Sequence, residues 1–343
     1  MQDIKDRIEW IDIAKGIGII LVIAGHTIAL RYSRWLYTFH LPLFFFLSGL
    51  VFNQKKYERF FFLFGQKSKQ ILLPWLAFFL VGLVVCLLIP EWRDALSIRQ
   101  MLIDFYTTNT NNIQNSSIWY LVCLFVTYCV FWFVNKIKRN KLTITLLIII
   151  AICLLWQKEV LLYISHNIVN IPCDRLPFKI DSALVACVFF AVAAWNKDKI
   201  TEIFLHNYSW WILIVSSIVF FAIAVLNGWT NLNSLDYGRI RLLFYPIAFV
   251  GIVLVCFVSK KIAELNNSQI KRWLTMYGEC SLLIFGLQSI FIRLYLYSFN
   301  KIENLNMELY MDNPKIHQIG SFVVVAFVIS PLLILARNLI KRK

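Results

Sequence analysis

Long apolar stretches, separated by short polar segments, run through the whole chain. Ten of them approach or exceed the roughly 17 residues that a helix needs to cross a hydrocarbon core of about 30 Å. They lie at about residues 10–30, 36–53, 71–89, 118–134, 142–157, 177–195, 207–226, 239–258, 279–298 and 319–339. This pattern predicts an all-α polytopic membrane protein with about ten transmembrane helices in one bundle, in which residues 1–343 form a single membrane-embedded domain.

Composition favours a membrane protein over a soluble one. The 343 residues are 59% hydrophobic and only 15% charged, and the mean hydropathy is +0.68. The net charge of +15 does not indicate nucleic-acid binding, because the basic residues gather in short loops. With the N-terminus in the cytoplasm, the inner loops hold about twice as many Lys and Arg as the outer loops. We therefore expect both termini in the cytoplasm and anionic membrane lipid beside the inner loops.

Four ionisable residues interrupt the first two apolar stretches: Asp12, Lys15, His26 and His40. An ionisable group in hydrocarbon costs on the order of 3 kcal/mol, so such groups usually face a bundle interior or a wet cavity. On a helix that turns about 100° per residue, Lys15 and His26 differ by about 20°, and Asp12 and His26 by about 40°. These three residues therefore share one face of the first helix, with Lys15 and His26 about 16 Å apart along the axis.

The predicted depth in the membrane divides these residues between two levels. Asp12 and Lys15 fall near the cytoplasmic side, whereas His26, about 24 Å beyond Trp10, belongs with His40 to the outer third. Further polar or interfacial residues are expected at the outer level: Trp119, Lys179, Asp181, Arg239, Arg241 and Arg293. This grouping predicts a polar chamber that opens to the outside.

Two lysines, Lys67 and Lys69, directly precede the third apolar stretch in the segment K-S-K-Q-I-L-L-P-W. Their position allows two interpretations. They either bind the phosphates of a soluble ligand or anchor this end of the helix to anionic lipid.

Four stretches together resemble the acyltransferase-3 family, the multi-span membrane O-acyltransferases of bacteria. The first, W-I-D-I-A-K-G-I-G-I-I-L-V-I-A-G-H, is similar to the family pattern of Arg or Lys, ten residues and then His, which Lys15 and His26 fit. The second is F-H-L-P-L-F-F-F-L-S-G, with His40. The third is the basic stretch at residues 67–75, and the fourth is S-I-W-Y-L-V-C-L-F, with Trp119.

Two positions depart from the family pattern. Gln70 replaces the second of the paired basic residues that members often have before the third span, with Lys69 as a possible substitute. Gln288 stands where many members have a histidine, in Y-G-E-C-S-L-L-I-F-G-L-Q. The interpretation of the chemistry therefore rests on His26.

The resemblance implies an O-acyltransferase, multi-pass in the bacterial inner membrane, that moves an acyl group from cytoplasmic acyl-CoA to a hydroxyl of a cell-surface or exported glycan. It implies no permanently bound cofactor: acetyl-CoA is the expected donor substrate, and a glycan or lipid-linked sugar is the acceptor. The eight cysteines show no C-x-x-C and no metal-ligand spacing, so we expect no metal and no disulfides. His26 would be the general base or would briefly carry the acyl group, with Lys15 and Asp12 as its catalytic partners. Lys67 and Lys69 would hold the donor phosphates, while the pantetheine arm follows the Lys15–His26 face. The acceptor pocket would be formed by His40, Trp119, Arg239, Arg241 and Arg293.

Other interpretations stay open at several positions. Asp12 and Lys15 either take part in the reaction or neutralise each other at a spacing of three residues. Ser48 lies in L-S-G rather than in a G-x-S-x-G elbow, which favours a helix-packing role. Buried charges on ten spans also suit a transporter or flippase of a polar or lipid-linked solute, although the two halves show no matched pair of Gly/Pro-broken helices.

Overall fold

The computed structural model describes seven segments of the chain, residues 9–28, 34–108, 113–164, 175–205, 210–266, 268–303 and 315–342. Helices make up almost all of them. In chain order they are α1 (Glu9–Thr27), α2 (His40–Leu50), α3 (Phe60–Leu88), α4 (Pro90–Asp94), α5 (Ile98–Thr107), α6 (Trp119–Val134), α7 (Lys141–Ile164), α8 (Ile180–Trp195), α9 (Lys197–Leu205), α10 (Trp210–Asn227), α11 (Phe244–Ala263), α12 (Gln269–Glu279), α13 (Ser281–Glu303) and α14 (residues 315–342).

Seven of the described helices are long and apolar enough to cross a membrane: Glu9–Thr27, Phe60–Leu88, Lys141–Ile164, Pro177–Trp195, Arg241–Ala263, Ser281–Phe299 and His317–Ile340. Three shorter apolar helices accompany them at Trp35–Leu50, Trp119–Val134 and Leu213–Asn227. Each of these elements falls on a predicted stretch, so the all-α, multi-pass membrane architecture is confirmed. The number of crossings and the cytoplasmic position of both termini stay predictions, and "inner" and "outer" below refer to that predicted orientation.

The third span starts well before the predicted boundary. The sequence places it at residues 71–89, but α3 begins at Phe60 and continues through a π-helical segment at Ser68–Leu72. The run F-F-F-L-F-G at residues 60–65 is apolar enough to extend the helix in the inner direction. As a result, Lys67 and Lys69 lie within a helix rather than in a loop that leads into it.

Helix α1 is the centre of the bundle, since α2, α11, α12, α13 and α14 all pack against it. Its closest neighbour is α12. A Cβ on Gly16 would overlap the carbonyl oxygen of Leu274, and a Cβ on Gly278 would overlap that of Asp12. Small residues that let two helix backbones approach are typical of membrane helix pairs. This contact fixes the inner half of α1, which carries Asp12 and Lys15.

A small antiparallel hairpin follows α10 at the outer end. Its strands are β1 (Thr230–Asn231) and β2 (Asp236–Tyr237). Asn227 holds its base, because its side-chain oxygen accepts from the Ile240 amide at 2.9 Å and its amide group donates to the Tyr237 carbonyl at 3.2 Å. Burial raises the pKa of Tyr237, so this phenol stays neutral within the hairpin.

Candidate active site

The polar face of α1 turns into the bundle. Asp12 is 3% exposed, and Lys15 and His26 keep only part of their surface accessible. The partly exposed apolar residues of α1 lie on the opposite side of the helix, about 140–240° from Lys15 at 100° per residue: Ile17, Ile20, Leu21 and Ala24. The accessible surface of Lys15 and His26 therefore belongs to the interior side of the helix and not to its lipid-like side.

The stretch of this face between Lys15 and His26 is filled. Ile19 and Val22 lie on the same side of α1, within about 40° of Lys15, and both side chains are 0% exposed. A pantetheine arm that followed this face would have to displace both side chains. The predicted route for the donor along α1 is therefore closed in this structure.

At the inner end of α1, the charges are paired. The Lys15 ammonium lies 3.4 Å from a carboxylate oxygen of Asp12, three residues away. One helical turn earlier, Glu9 binds Lys271 of α12 at 3.0 Å. This geometry supports mutual neutralisation of Asp12 and Lys15 and ties α1 to α12 at the level where Gly16 already brings the two backbones together.

At the outer end of α1, His40 is held in one orientation. Its Nδ1 lies 2.5 Å from the Leu36 carbonyl oxygen, which only accepts, so Nδ1 carries the proton and Nε2 keeps its lone pair. The Nε2 atom faces Gly25, where an added Cβ would lie 3.8 Å away. Tyr37 fixes the other side, since its hydroxyl donates to the Gly25 carbonyl at 2.8 Å and its ring contacts that of His40 edge-on. His40 is thus aimed at the segment of α1 that carries His26.

His26 differs from His40 because its imidazole makes no hydrogen bond to any other described residue. It is enclosed by the bundle and yet keeps accessible surface. Arg293 of α13 and His40 both lie close enough for their charges to interact with it. The structure therefore brings three of the predicted site residues together, with the ring nitrogens of His26 left for a ligand.

Trp119 stands at the start of α6, where Lys179 lies over its ring at 5.8 Å from the centroid. Lys179 is 6% exposed. Together with Phe178 it adopts a left-handed backbone conformation, with φ of 57° and 53°. Such conformations persist in non-glycine residues only where the surrounding structure enforces them.

A buried ion pair enforces it here. The Arg175 guanidinium binds the Asp181 carboxylate through contacts of 2.7 and 3.0 Å, and the same carboxylate accepts from the amides of Leu176 and Ser182. The Ser182 hydroxyl in turn donates to Leu232 in the hairpin at 3.0 Å. This cluster joins the start of α8 to the hairpin and fixes Lys179 beside Trp119.

Arg239 and Arg241, which the sequence analysis assigns to the acceptor pocket, lie in different surroundings from Arg293. Arg241 forms an ion pair with Glu159 of α7, and its guanidinium lies 5.7 Å from the Trp156 ring centroid. The Arg239 side chain lies beside Gly228 at the base of the hairpin. Neither arginine has a recorded contact with His26 or His40 among the described residues, so their part in an acceptor pocket stays a prediction.

A second accessible space lies between α2 and α6, which both pack against α8. Phe44 and Ser48, four residues apart, are the only positions on α2 that keep appreciable accessible surface. They face Tyr120 and Tyr128 of α6: the Phe44 and Tyr120 ring centroids are 6.2 Å apart, and the Ser48 side chain lies close to that of Tyr128. Leu124, between the two tyrosines, is also partly accessible. We call the space bordered by these five residues the central cleft.

Lys67 closes the inner end of the central cleft. Its ammonium lies 4.1 Å from the Tyr128 ring centroid and 5.2 Å from that of Tyr57, and it donates to the Gln70 side chain at 3.2 Å. Burial raises the pKa of Tyr57, which keeps this phenol neutral beside the cation. Lys69, in contrast, is exposed. Lys67 and Lys69, which the sequence analysis assigns the same role, therefore have different surroundings in the structure.

One of three comparisons with known proteins gives a match. The acyltransferase domain model of acyltransferase family 3 matches residues 8–335, nearly the whole chain. The protein belongs to the acyltransferase-3 family. No curated protein and no solved structure gives a significant match.

An acyltransferase needs a base for the acceptor hydroxyl, a place for the acyl donor and a way to keep water from the thioester. The unpaired imidazole of His26 suits the first task, since neutral imidazole accepts a proton at physiological pH. Lys67, at the inner mouth of a partly apolar cleft, suits the second. Within the described ranges, no three His, Cys, Asp or Glu side chains gather as metal ligands.

Several residues of the candidate site carry no signal in the sequence. Tyr37 and Tyr57 lie in or next to loops, and Tyr120 and Tyr128 look like ordinary aromatic residues of an apolar span. Their spacing of eight residues places both tyrosines within about 80° on α6, which is the one pattern that indicates a shared face. Only the packing of α2 and α6 on α8 shows that this face borders a cleft.

Proposed function

We propose that this acyltransferase moves an acyl group, acetyl in the simplest case, from acyl-CoA on the inner side to a hydroxyl of a cell-surface or exported glycan or lipid-linked sugar. The observation that carries the proposal is the imidazole of His26. It lies inside the bundle, keeps accessible surface, has no hydrogen bond to another described residue, and has His40 and Arg293 within electrostatic reach.

In the proposed reaction, a ring nitrogen of His26 takes the proton of the acceptor hydroxyl while the oxygen attacks the thioester carbon. The carbon–sulfur bond then breaks, and the departing thiolate takes the proton back from His26. In this reaction Arg293 stabilises the negative charge that develops on the thioester oxygen. His40, whose Nδ1 proton is committed to Leu36, offers its Nε2 as an acceptor for a second hydroxyl of the sugar.

The donor reaches this centre through the central cleft rather than along α1. Lys67, at the cleft's inner end, binds a phosphate of the CoA nucleotide, and the pantetheine arm extends past Tyr128 and Tyr120. Two observations support this route: Ile19 and Val22 fill the α1 face, whereas Phe44, Ser48 and Leu124 keep accessible surface at the cleft.

The deciding experiment is turnover by the purified protein in detergent or nanodiscs. We expect free CoA to appear from acetyl-CoA in the presence of acceptor glycan, together with acylated glycan by mass spectrometry. His26→Ala should lower kcat by at least about 100-fold, because a general base contributes roughly 10²–10⁴. His317→Ala, with its histidine near the start of α14, is the matched control and should keep wild-type activity.

Two results would contradict the proposal. Solute or lipid-linked sugar transport without release of CoA would identify a carrier instead of an enzyme. Full activity of a well-inserted His26→Ala protein would remove this residue from the chemistry.

A further inference from the structure

Gln288, in the middle of α13, is a buried amide without a partner. Its side chain is 1% exposed. Neither its Oε1 nor its Nε2 atom has a hydrogen-bond partner among the described residues. A primary amide has two donors and a carbonyl acceptor, and burying all of them unpaired is costly. A native protein retains such a group where something else supplies the missing hydrogen bonds.

Several other polar side chains at this level donate to the backbone of α13 or to one another. The Asn115 amide donates to the Gly286 carbonyl at 2.9 Å, and the Ser117 hydroxyl donates to the Phe285 carbonyl at 3.2 Å. Ser289 donates to Ser117 at 2.9 Å. Gln288 differs from these three side chains in that neither of its polar atoms has a hydrogen-bond partner among the described residues.

The direction of Gln288 follows from its neighbours on α13. Phe285, about 60° to one side on the helix, contacts the Tyr120 ring at 5.1 Å. Tyr295, about 20° to the other side, lies against Gly320 of α14. Gln288 therefore points between α6 and α14, into the interior where α1 also packs.

Along α13, Gln288 lies closer to the inner side than the proposed reacting centre. Gln288 precedes Arg293 by five residues, or about 7.5 Å toward the inner side. Arg293 is within electrostatic reach of His26, and Tyr120 borders the central cleft. The helix turn of Gln288 thus adjoins the cleft through Phe285, at a level between Lys67 and the imidazole at which acyl transfer is proposed.

We propose that Gln288 is a positioning residue that binds an amide of the pantetheine arm of acyl-CoA. A carboxamide donates and accepts at once, which matches a secondary amide but not a phosphate or an acyl chain. The first amide nitrogen of the arm is separated from the thioester sulfur by only two carbon atoms, so it lies one short step below the reacting carbon. Binding there holds the thioester carbonyl at a fixed distance from His26. This inference rests on the proposed function, since it assumes an acyl-CoA donor in the cleft.

The test compares Gln288→Leu with wild type on two donors, acetyl-CoA and the amide-free thioester S-ethyl thioacetate. We expect the KM for acetyl-CoA to rise roughly tenfold, because the ligand amide loses its partner. The KM for the acceptor and the turnover of S-ethyl thioacetate should stay as in wild type. Gln288→Met, which fills a similar volume with a flexible apolar chain, should give the same result. It serves as the second variant if Gln288→Leu folds poorly.

Gln157→Leu is the matched control. Gln157 is a partly buried glutamine that is paired, since its amide donates to the Asp181 carbonyl at 3.0 Å and to the Tyr237 hydroxyl at 3.3 Å. Its loss should lower the thermal midpoint without changing the KM for acetyl-CoA. Gln288→Leu should show the reverse, with an unchanged or raised midpoint and a raised KM.

The outcomes separate the two proposals. An unchanged KM for acetyl-CoA in both Gln288 variants, with active wild-type protein, overturns the role of Gln288 and leaves the acyltransferase reaction standing. An equal loss with both thioesters also overturns it, since the amide of the donor would then be irrelevant. A well-folded wild-type protein that consumes neither donor overturns the acyl-CoA proposal and this inference with it.

Discussion

Replacing Lys67 with methionine gives the sharpest test of the donor site, because the chain supplies its own control two residues away. Lys67 lies over the rings of Tyr57 and Tyr128 at the inner end of the central cleft, whereas Lys69 is exposed. Methionine keeps the length and the apolar stem of lysine but removes the charge. Lys67→Met should therefore weaken donor binding, and Lys69→Met should have little effect.

The structure sets the size of the expected effect. A hydrogen bond to a charged group contributes about 1.5–3 kcal/mol, so the KM for acetyl-CoA should rise roughly 10- to 150-fold in Lys67→Met. Loss of the contacts with the two tyrosine rings removes a further ~0.5–2 kcal/mol, which should appear in the free energy of unfolding instead. For the exposed Lys69, the corresponding value is about 0–1 kcal/mol.

The assay uses two donors that differ only in the nucleotide. S-acetylpantetheine has the arm and the thioester of acetyl-CoA but lacks the phosphates that Lys67 is proposed to bind. We expect Lys67→Met to lose affinity for acetyl-CoA and to keep its wild-type KM for S-acetylpantetheine. If both donors lose affinity equally, or if Lys69→Met is as impaired as Lys67→Met, then Lys67 does not recognise a phosphate and serves packing or lipid contact.

Further predictions concern how residues that support the candidate site contribute to the stability of the protein. Gly16→Ala should lower the free energy of unfolding by about 1–3 kcal/mol, because its Cβ would overlap the Leu274 carbonyl oxygen. Gly25→Ala meets only ordinary contacts at 3.8 Å, and thermal unfolding in detergent should show it to be at least as stable as wild type, since alanine favours a helix by ~1 kcal/mol. Asp181→Asn should cost about 1.5–3 kcal/mol, because Arg175 loses its charge-assisted hydrogen bonds to this carboxylate. A shift in the midpoint no larger than that of a surface variant would contradict this account of the cluster.

Helical geometry explains how much of this site the sequence predicts. The ten apolar elements follow from hydropathy, and the shared face of Asp12, Lys15 and His26 follows from 100° per residue. The pairing of Asp12 with Lys15 follows from their spacing, and the structure has it at 3.4 Å. These features depend on residues close together in sequence or on one rigid helix, so no knowledge of packing is needed.

Contacts between distant segments explain what the sequence does not predict. Lys67 looks like a loop residue because Gly65, Gln66 and three further polar residues interrupt the apolar run, yet a π-helical segment carries α3 through them. The sequence also does not predict that Ile19 and Val22 fill the α1 face, because any apolar residue at those positions fits a membrane helix equally well.

The surroundings of Lys67 bear on how an acyl group can cross between compartments. Lys67 contacts Tyr128, which lies nine residues and about 13 Å below Trp119 along α6. A phosphate at Lys67 therefore stays in the inner part of the bundle, and only the uncharged arm has to extend toward His26. Moving the nucleotide itself would bring several charges into the hydrocarbon region, each at a cost of several kcal/mol.

The same reasoning favours the central cleft over the α1 face as the path of the arm. Burial of a side chain the size of Ile19 or Val22 stabilises a fold by about 1.5–3 kcal/mol, so a route along α1 would give up roughly twice that amount in each catalytic cycle. In the cleft, accessible surface is already present, and the unpaired amide of Gln288 offers the arm a hydrogen bond that no described residue of the protein makes. In the proposed reaction, the arm gains a polar contact in the cleft, whereas the route along α1 would lose two apolar ones. This difference in free energy favours an approach to His26 through the cleft.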